Sequence, residues 1–167
     1  SLGSEPLLKA GLKKLISQID QLDTQIQKYL RRAIREAGLC DQVKRCKALE
    51  GVGELTAFAL VMAFLRGDFK NSDAFVAFLG LDTQVRDSGT QTGKRKLTKK
   101  GDSEVRRLLY CAAMAARRSP RWAGVYQGYL DRGLATTQAL IILARKLVRI
   151  AFALLKNRAD YQPAMSS

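Results

Sequence analysis

The sequence predicts an all-α protein, a long N-terminal coiled-coil helix followed by a compact helical domain with a helix-hairpin-helix and a long basic loop. Three observations carry that expectation. Apolar residues from Leu8 to Ala33 recur at alternating spacings of 4 and 3. Later segments set apolar residues at helical spacing on one face. Between these segments stand Gly, Pro, Ser and Asp, at positions that cap or end helices.

Leu8, Leu12, Leu15, Ile19, Leu22, Ile26, Tyr29 and Ala33 form an a/d seam with Lys13, Gln18, Asp20 and Gln25 between its members. A narrow seam of this kind fits a coiled-coil partner better than a helix folded back on its own domain. Residues 5–38 are therefore read as a helix of oligomerisation, closed by Gly38. Asp41 caps a short helix to Ala48. The glycines of Gly51-Val52-Gly53 then turn the chain into a helix over 54–65, and together these make the helix-hairpin-helix of 41–65. Ser72-Asp73 caps a helix through Leu79, which Gly80 ends. A loop spans about 81–101. Asp102 or Ser103 opens a helix to Arg117, with Val105, Leu108, Leu109, Ala112, Ala113 and Ala116 inward. Pro120 starts a helix to about Leu130, Gly133 turns the chain, and a last helix covers about 136–156. Leu140, Leu143, Leu147, Ile150, Ala151 and Leu154 form its apolar face. The helical domain is thus 41–157, and 158–167 reads as a frayed tail. Residues 1–4 read as a cloning remnant outside the fold.

Composition narrows the function. Lys and Arg number 29 against 15 Asp and Glu, a net charge of +14 on 167 residues. Such a field draws polyanions, and clustered cations gain from counterion release on nucleic-acid phosphates. An anionic membrane, the alternative polyanion, fits poorly: the apolar run Ala139–Leu143 is soon followed by Arg145, Lys146 and Arg149, so no segment is expected to span a bilayer. The chain has 3 cysteines and no histidine. That set points away from a disulfide framework and from zinc, fits a cytosolic protein, and excludes a Ser-His-Asp or Cys-His arrangement within the chain.

Two segments carry candidate chemistry. In the hairpin, Gly51 and Gly53 let backbone amides approach a phosphate, and the helix that follows turns its positive dipole end to it. The second segment holds eight cations over 84–107: Arg86, Lys94, Arg95, Lys96, Lys99, Lys100, Arg106 and Arg107. Asp87, Asp102 and Glu104 leave a local net of +5. Interleaved Gly89, Gly93 and Gly101 make this a phosphate cradle. Ser88 opens it beside Gly89. A serine hydroxyl attacks phosphorus only with a base, a metal or a strongly cationic setting, and Arg86 with Arg106 or Arg107 supplies the last. Taken by itself, Ser-Gly is also a common turn. Tyr110 and Tyr126 are rival nucleophiles that fall on apolar helix faces and read as core, as does Trp122. No metal site is expected in this chain.

The order of motifs resembles one family. Gly51-Val52-Gly53 with Thr56-Ala57 comes first, then Phe78-Leu79-Gly80-Leu81 and Ser88-Gly89. Leu97-Thr98-Lys99-Lys100-Gly101-Asp102 leads to Arg106-Arg107-Leu108-Leu109-Tyr110, and Tyr126, Tyr129-Leu130, Arg132-Gly133 and Ala144-Arg145-Lys146-Leu147 close the series. Over about 49–156 the chain is similar to the C-terminal domain of insertion-sequence transposases with an N-terminal DEDD, RuvC-like domain, the family that includes the Piv pilin-gene invertases. The resemblance implies that Ser88 attaches covalently to DNA; in the reading adopted here Gly89 allows close approach and Arg106 steadies charge at phosphorus. From their own chemistry, phosphate contacts are expected from Gly51, Gly53, Arg86, Lys94, Arg95, Lys96, Lys99, Lys100 and Arg107. The resemblance places Mg²⁺ in an acidic domain outside this chain and adds a structured guide RNA in some members; with no acidic cluster of metal-binding type in its sequence, the chain alone is expected to be inactive. A dimer through Leu8–Tyr29, with a tetramer as higher assembly, and a bacterial, nucleoid-associated location follow. Glu50 and Thr83 depart from the family, which usually has proline at both. Glu50 would repel a phosphate at the hairpin.

The function expected is therefore the DNA-binding and serine-nucleophile domain of a transposase or DNA invertase. A non-catalytic helix-hairpin-helix DNA-binding module and a coiled-coil assembly domain with a basic surface are the alternatives.

Overall fold

The computed structural model describes residues 3–82 and 95–163, with 95–102 described by backbone alone. Among the described residues the chain is all-helical: α1 (Glu5–Glu36), α2 (Cys40–Lys47), α3 (Glu54–Leu65), α4 (Ser72–Phe78), α5 (Arg95–Ala116), α6 (Pro120–Asp131) and α7 (Thr136–Asn157). They fall into two compact units, Ser1–Leu39 and Cys40–Ser167.

The first unit is one helix. α1 has 32 residues, about 48 Å at the helical rise. Pro6 sits in its first turn, where a missing amide costs nothing, and Lys9–Glu5 and Arg32–Glu36 pair at i,i+4. Gly38, at φ 68°, closes it: the Gly38 amide donates to the Arg35 carbonyl and the Leu39 amide to that of Ile34, a Schellman end. The seam residues from Leu8 to Tyr29 are each between 55% and 68% exposed. A stripe of seven large apolar side chains left in water on one helix is a surface that association would cover.

In the second unit α7 is the axis. α2, α3, α4, α5 and α6 all pack on it. Its inner face, Leu140, Leu143, Ala144, Leu147, Val148 and Ala151, is almost wholly buried, while Ile150 lies at the border. Small Ala144 and Ala151 let neighbouring helices come close. Phe75 of α4 is fully buried, ringed by Phe64 at 6.1 Å, Phe69 at 5.0 Å and Phe152 at 5.7 Å between centroids. That aromatic cluster fixes α4 against α3 and α7.

Helix limits differ from expectation in three places. α5 begins at Arg95, so residues 95–101, expected in the loop, are helical and neither Asp102 nor Ser103 caps it. Lys, Arg and Leu are good helix formers, and Gly101 inside the helix costs only about 1 kcal/mol. The cap of α4 is Asn71, whose side-chain oxygen accepts from the Ala74 amide at 2.9 Å. The tail is not frayed at its start. Asp160 lies 3.6 Å from Arg45, and the Tyr161 hydroxyl is held on both sides. Residues 164–167 lie outside the described residues.

Candidate functional site

The end of α4 is where the site starts. Leu79 is its last capping residue, and Gly80 turns left-handed at φ 73°. The Gly80 amide donates to the Ala77 carbonyl and the Leu81 amide to that of Val76, so the turn is another Schellman motif. Glycine suits this place in two ways. The backbone angle disfavours a side chain, and a Cβ would run into the Arg106 guanidinium, with Arg106 Cδ at 3.3 Å and Cζ at 3.4 Å. Arg106 therefore lies against the bare backbone of Gly80.

Arg106 belongs to a row on α5. Ser103, Arg106, Arg107 and Tyr110 stand at i, i+3, i+4 and i+7, one face of the helix. Together with Gly80, Leu81 and Asp82 they line a cavity of about 390 Å³, which Ile141 and Ala144 of α7 complete. Arg106 is half-buried. Arg107 is exposed and pairs with Glu104 at 3.1 Å. An exposed i,i+3 pair is worth at most about 0.5 kcal/mol, so a phosphate can draw Arg107 away. Tyr110, expected in the core, is instead half-buried and lines the cavity. Its place beside Arg106 was readable in principle from the shared helical face. Tyr126 and Trp122 are buried as expected.

The opposite side of α5 meets the turn between α2 and α3. Gly51 has φ 79°, and a Cβ on it would collide with the Ala112 carbonyl oxygen and lie 2.6 Å from the Ala116 amide nitrogen. The bareness of Gly51 is thus used inside the fold, to let α5 come against the turn. Gly53 differs. It is the N-cap of α3 in extended conformation, and nothing lies within 4 Å of its Cβ position. Between α2 and Gly51, Glu50 turns its carboxylate inward, accepting from the Trp122 indole at 3.1 Å and the Tyr161 hydroxyl at 2.8 Å. Arg121 donates in turn to that hydroxyl. The repulsion expected of Glu50 toward a phosphate is met by donors within the protein.

The cavity thus brings Arg106 and Arg107 together but leaves Gly51 and Gly53 at a separate turn. Arg95, Lys96, Lys99 and Lys100 fall in the first two turns of α5. Thr83, Arg86, Ser88, Gly89 and Lys94 lie outside the described residues. The connection that carries Ser88 starts directly after Asp82, a cavity residue, and ends at α5, which supplies the row of cations. Among the described residues no three His, Cys, Asp or Glu side chains are placed to hold a metal ion, and no helix is long and apolar enough to cross a membrane. A wider concavity of about 860 Å³ runs along α1 beside Tyr29, Arg32 and Arg35, but it belongs to one exposed helix where no groups converge.

Residues 43–127, just over half of the chain, match the model of the family described as Transposase IS116/IS110/IS902. A probable family 20 transposase of Pseudomonas aeruginosa is 32% identical over 93% of this chain and 46% of its own length. The uncharacterized 42 kDa protein of insertion element IS900 from Mycobacterium paratuberculosis is 26% identical, over 98% of this chain and 42% of its own. For the 43.6 kDa protein of insertion element IS110 from Streptomyces coelicolor the figures are 27%, 96% and 38%. The chain spans less than half the length of these relatives.

Proposed function

This chain belongs to the IS116/IS110/IS902 transposase family, and from that premise we propose that it is the DNA-binding, serine-nucleophile part of a transposase that cuts and exchanges DNA strands. The observation that carries the proposal is the Ser103–Arg106–Arg107–Tyr110 face of α5. It opens on a cavity whose edge, Asp82, is the residue from which the Ser88 segment departs. Arg106, steadied on Gly80, and Arg107 supply bidentate donors for a phosphodiester. Ser88 Oγ bonds to phosphorus as the bond from phosphorus to the departing deoxyribose oxygen breaks, and the proton lost by the serine hydroxyl ends, by way of solvent, on that deoxyribose oxygen. The arginines stabilise the negative charge that builds on the phosphoryl oxygens.

The basic residues Arg86, Lys94, Arg95, Lys96, Lys99 and Lys100 hold phosphates on either side, and Gly53 offers a further contact at the start of α3. Gly51 acts by letting the turn pack on α5. A structured RNA would be bound through the same cations. Mg²⁺ and the acidic groups that hold it belong to the remainder of the parent protein, which makes this chain inactive by itself. The exposed seam of α1 pairs copies. Sedimentation of the chain against an Ile19→Asp, Leu22→Asp variant tests this, and an unchanged mass would sink it.

The DNA reading is tested by titrating the chain with duplex DNA at rising salt. Clustered phosphate contacts give a steep fall in affinity, and replacing Arg106 and Arg107 with Gln lowers the logarithmic slope by about two. A slope unmoved by both replacements would remove the cavity from the DNA interface.

A further inference from the structure

The cavity under Arg106 has two chemically different sides. Arg106 and Arg107 make one side a place for an anion, with Asp82 at the edge and Glu104 paired at the surface with Arg107. Leu81, Ile141, Ala144 and the ring of Tyr110 make the other side apolar. A phosphate alone has no use for an apolar wall and an aromatic ring. An apolar ligand has no use for two guanidinium groups. A nucleotide uses both, since its phosphate matches the arginine fork while the flat faces of its base stack on aromatic side chains. The volume, about 390 Å³, lies within the range that small-molecule sites occupy.

A base inside a duplex stack is out of reach of a concave pocket, so a base that enters one has left the stack. We propose that this cavity is a subsite for one unstacked nucleotide of the bound DNA, its phosphate on Arg106 and Arg107 and its base on Tyr110. The opposite wall is formed by Leu81 with Ile141 and Ala144 of α7. The inference rests on the reading of the chain as a DNA-binding protein and adds to it a base-holding role for Tyr110. Stacking tolerates any base, so the subsite selects for an unpaired nucleotide more than for a sequence.

The test compares a short single strand of deoxythymidines with a fully abasic strand of the same length and charge, each bound to the full 167-residue chain. Wild type is expected to hold the intact strand about ten-fold more tightly than the abasic one. Tyr110→Phe keeps that ratio, because stacking does not need the hydroxyl. Tyr110→Leu, which keeps an apolar side chain without a π face, brings the ratio close to one. Photocrosslinking of a strand carrying 5-iodouracil to the wild-type chain, read by mass spectrometry, locates the base without any variant. A crosslink at Tyr110 is expected. A ratio near one in wild type, or a crosslink confined to residues away from the cavity, overturns the subsite and leaves the DNA reading standing. Failure to bind either strand or duplex DNA overturns both.

Discussion

The Tyr161 hydroxyl donates to Glu50 Oε2 at 2.8 Å, fastening the segment after α7 onto the turn between α2 and α3. The same carboxylate oxygen accepts from Trp122 Nε1 at 3.1 Å. Arg121 closes the group, its guanidinium 4.8 Å from the centroid of Trp122 and 5.1 Å from that of Tyr161. One acid at the turn thus joins α2, α6 and the tail. Its charge is engaged within the fold.

Loss of either side of that junction lowers stability without touching the cavity. Tyr161→Phe is expected to cost about 1.5 kcal/mol, the lower range for a hydrogen bond to a charged group. Glu50→Ala costs more, because the buried Trp122 indole loses its acceptor. Urea denaturation reads both. Equal midpoints for Tyr161→Phe and wild type would mean that the tail contributes nothing.

The two glycines of the turn separate in the same way. Gly51→Ala combines a left-handed backbone with collision against the main chain of α5, and should cost about 3 kcal/mol. Gly53→Ser puts a good N-cap where space is open and should leave stability equal or slightly higher. A pair of melting curves decides this. Similar losses for both variants would contradict the packing role assigned to Gly51.

Gly80→Ala is the sharpest probe of the cavity. The flexible end of Arg106 can move aside, so the stability loss is set mainly by the left-handed backbone and is about 1 kcal/mol. DNA affinity should fall more than that figure would suggest, because Arg106 is displaced from its place on the Gly80 backbone. Wild-type DNA binding by a folded Gly80→Ala protein would show that Arg106 acts from another position or not at all.

The helices were legible where pattern and punctuation agreed. α3 has the limits expected of it, and α7 shows nearly all of its apolar face buried, because both rest on periodicity that one stretch of sequence contains. The start of α5 was not legible. Gly101 and Asp102-Ser103 have the form of a helix boundary, yet a single glycine is a small penalty against a run of good helix formers. Arg106 and Arg107 stand out in the sequence because cations cluster along the chain, whereas the cavity they line does not show there. Tyr110 was missed because its neighbour Leu109 is core, and one helical step decides between core and cavity. Ile141, Ala144 and the second role of Gly80 depend on contacts between distant segments. So do the partners of Glu50, which lie 72 and 111 positions away.

Cys46 gives a pH signature of the core. Burial pushes its thiol up to about 12 from an ordinary 9.0. Above pH 9.0 the unfolded chain loses this proton while the folded chain keeps it. Its contribution to stability is therefore complete below that pH. It declines as pH rises toward about 12, by roughly 1.4 kcal/mol per unit. The difference in unfolding free energy between wild type and Cys46→Ala should shrink over that window. A thiol reagent at neutral pH should reach Cys40 and Cys111, both exposed, and reach Cys46 only on unfolding. A constant difference between the two proteins across the window would contradict the burial account of Cys46.

The serine mechanism is tested most directly in the parent protein with its acidic half, incubated with Mg²⁺, DNA from the ends of its element and any cognate RNA. The measurement is a protein–DNA adduct that survives denaturant. Wild type should form it, Ser88→Ala should not, and Ser88→Cys should regain a trace if the thiolate can replace the hydroxyl. An adduct that persists in Ser88→Ala would move the nucleophile to another residue. Intact DNA binding with no adduct in wild type would make the chain a DNA-binding module without a nucleophile.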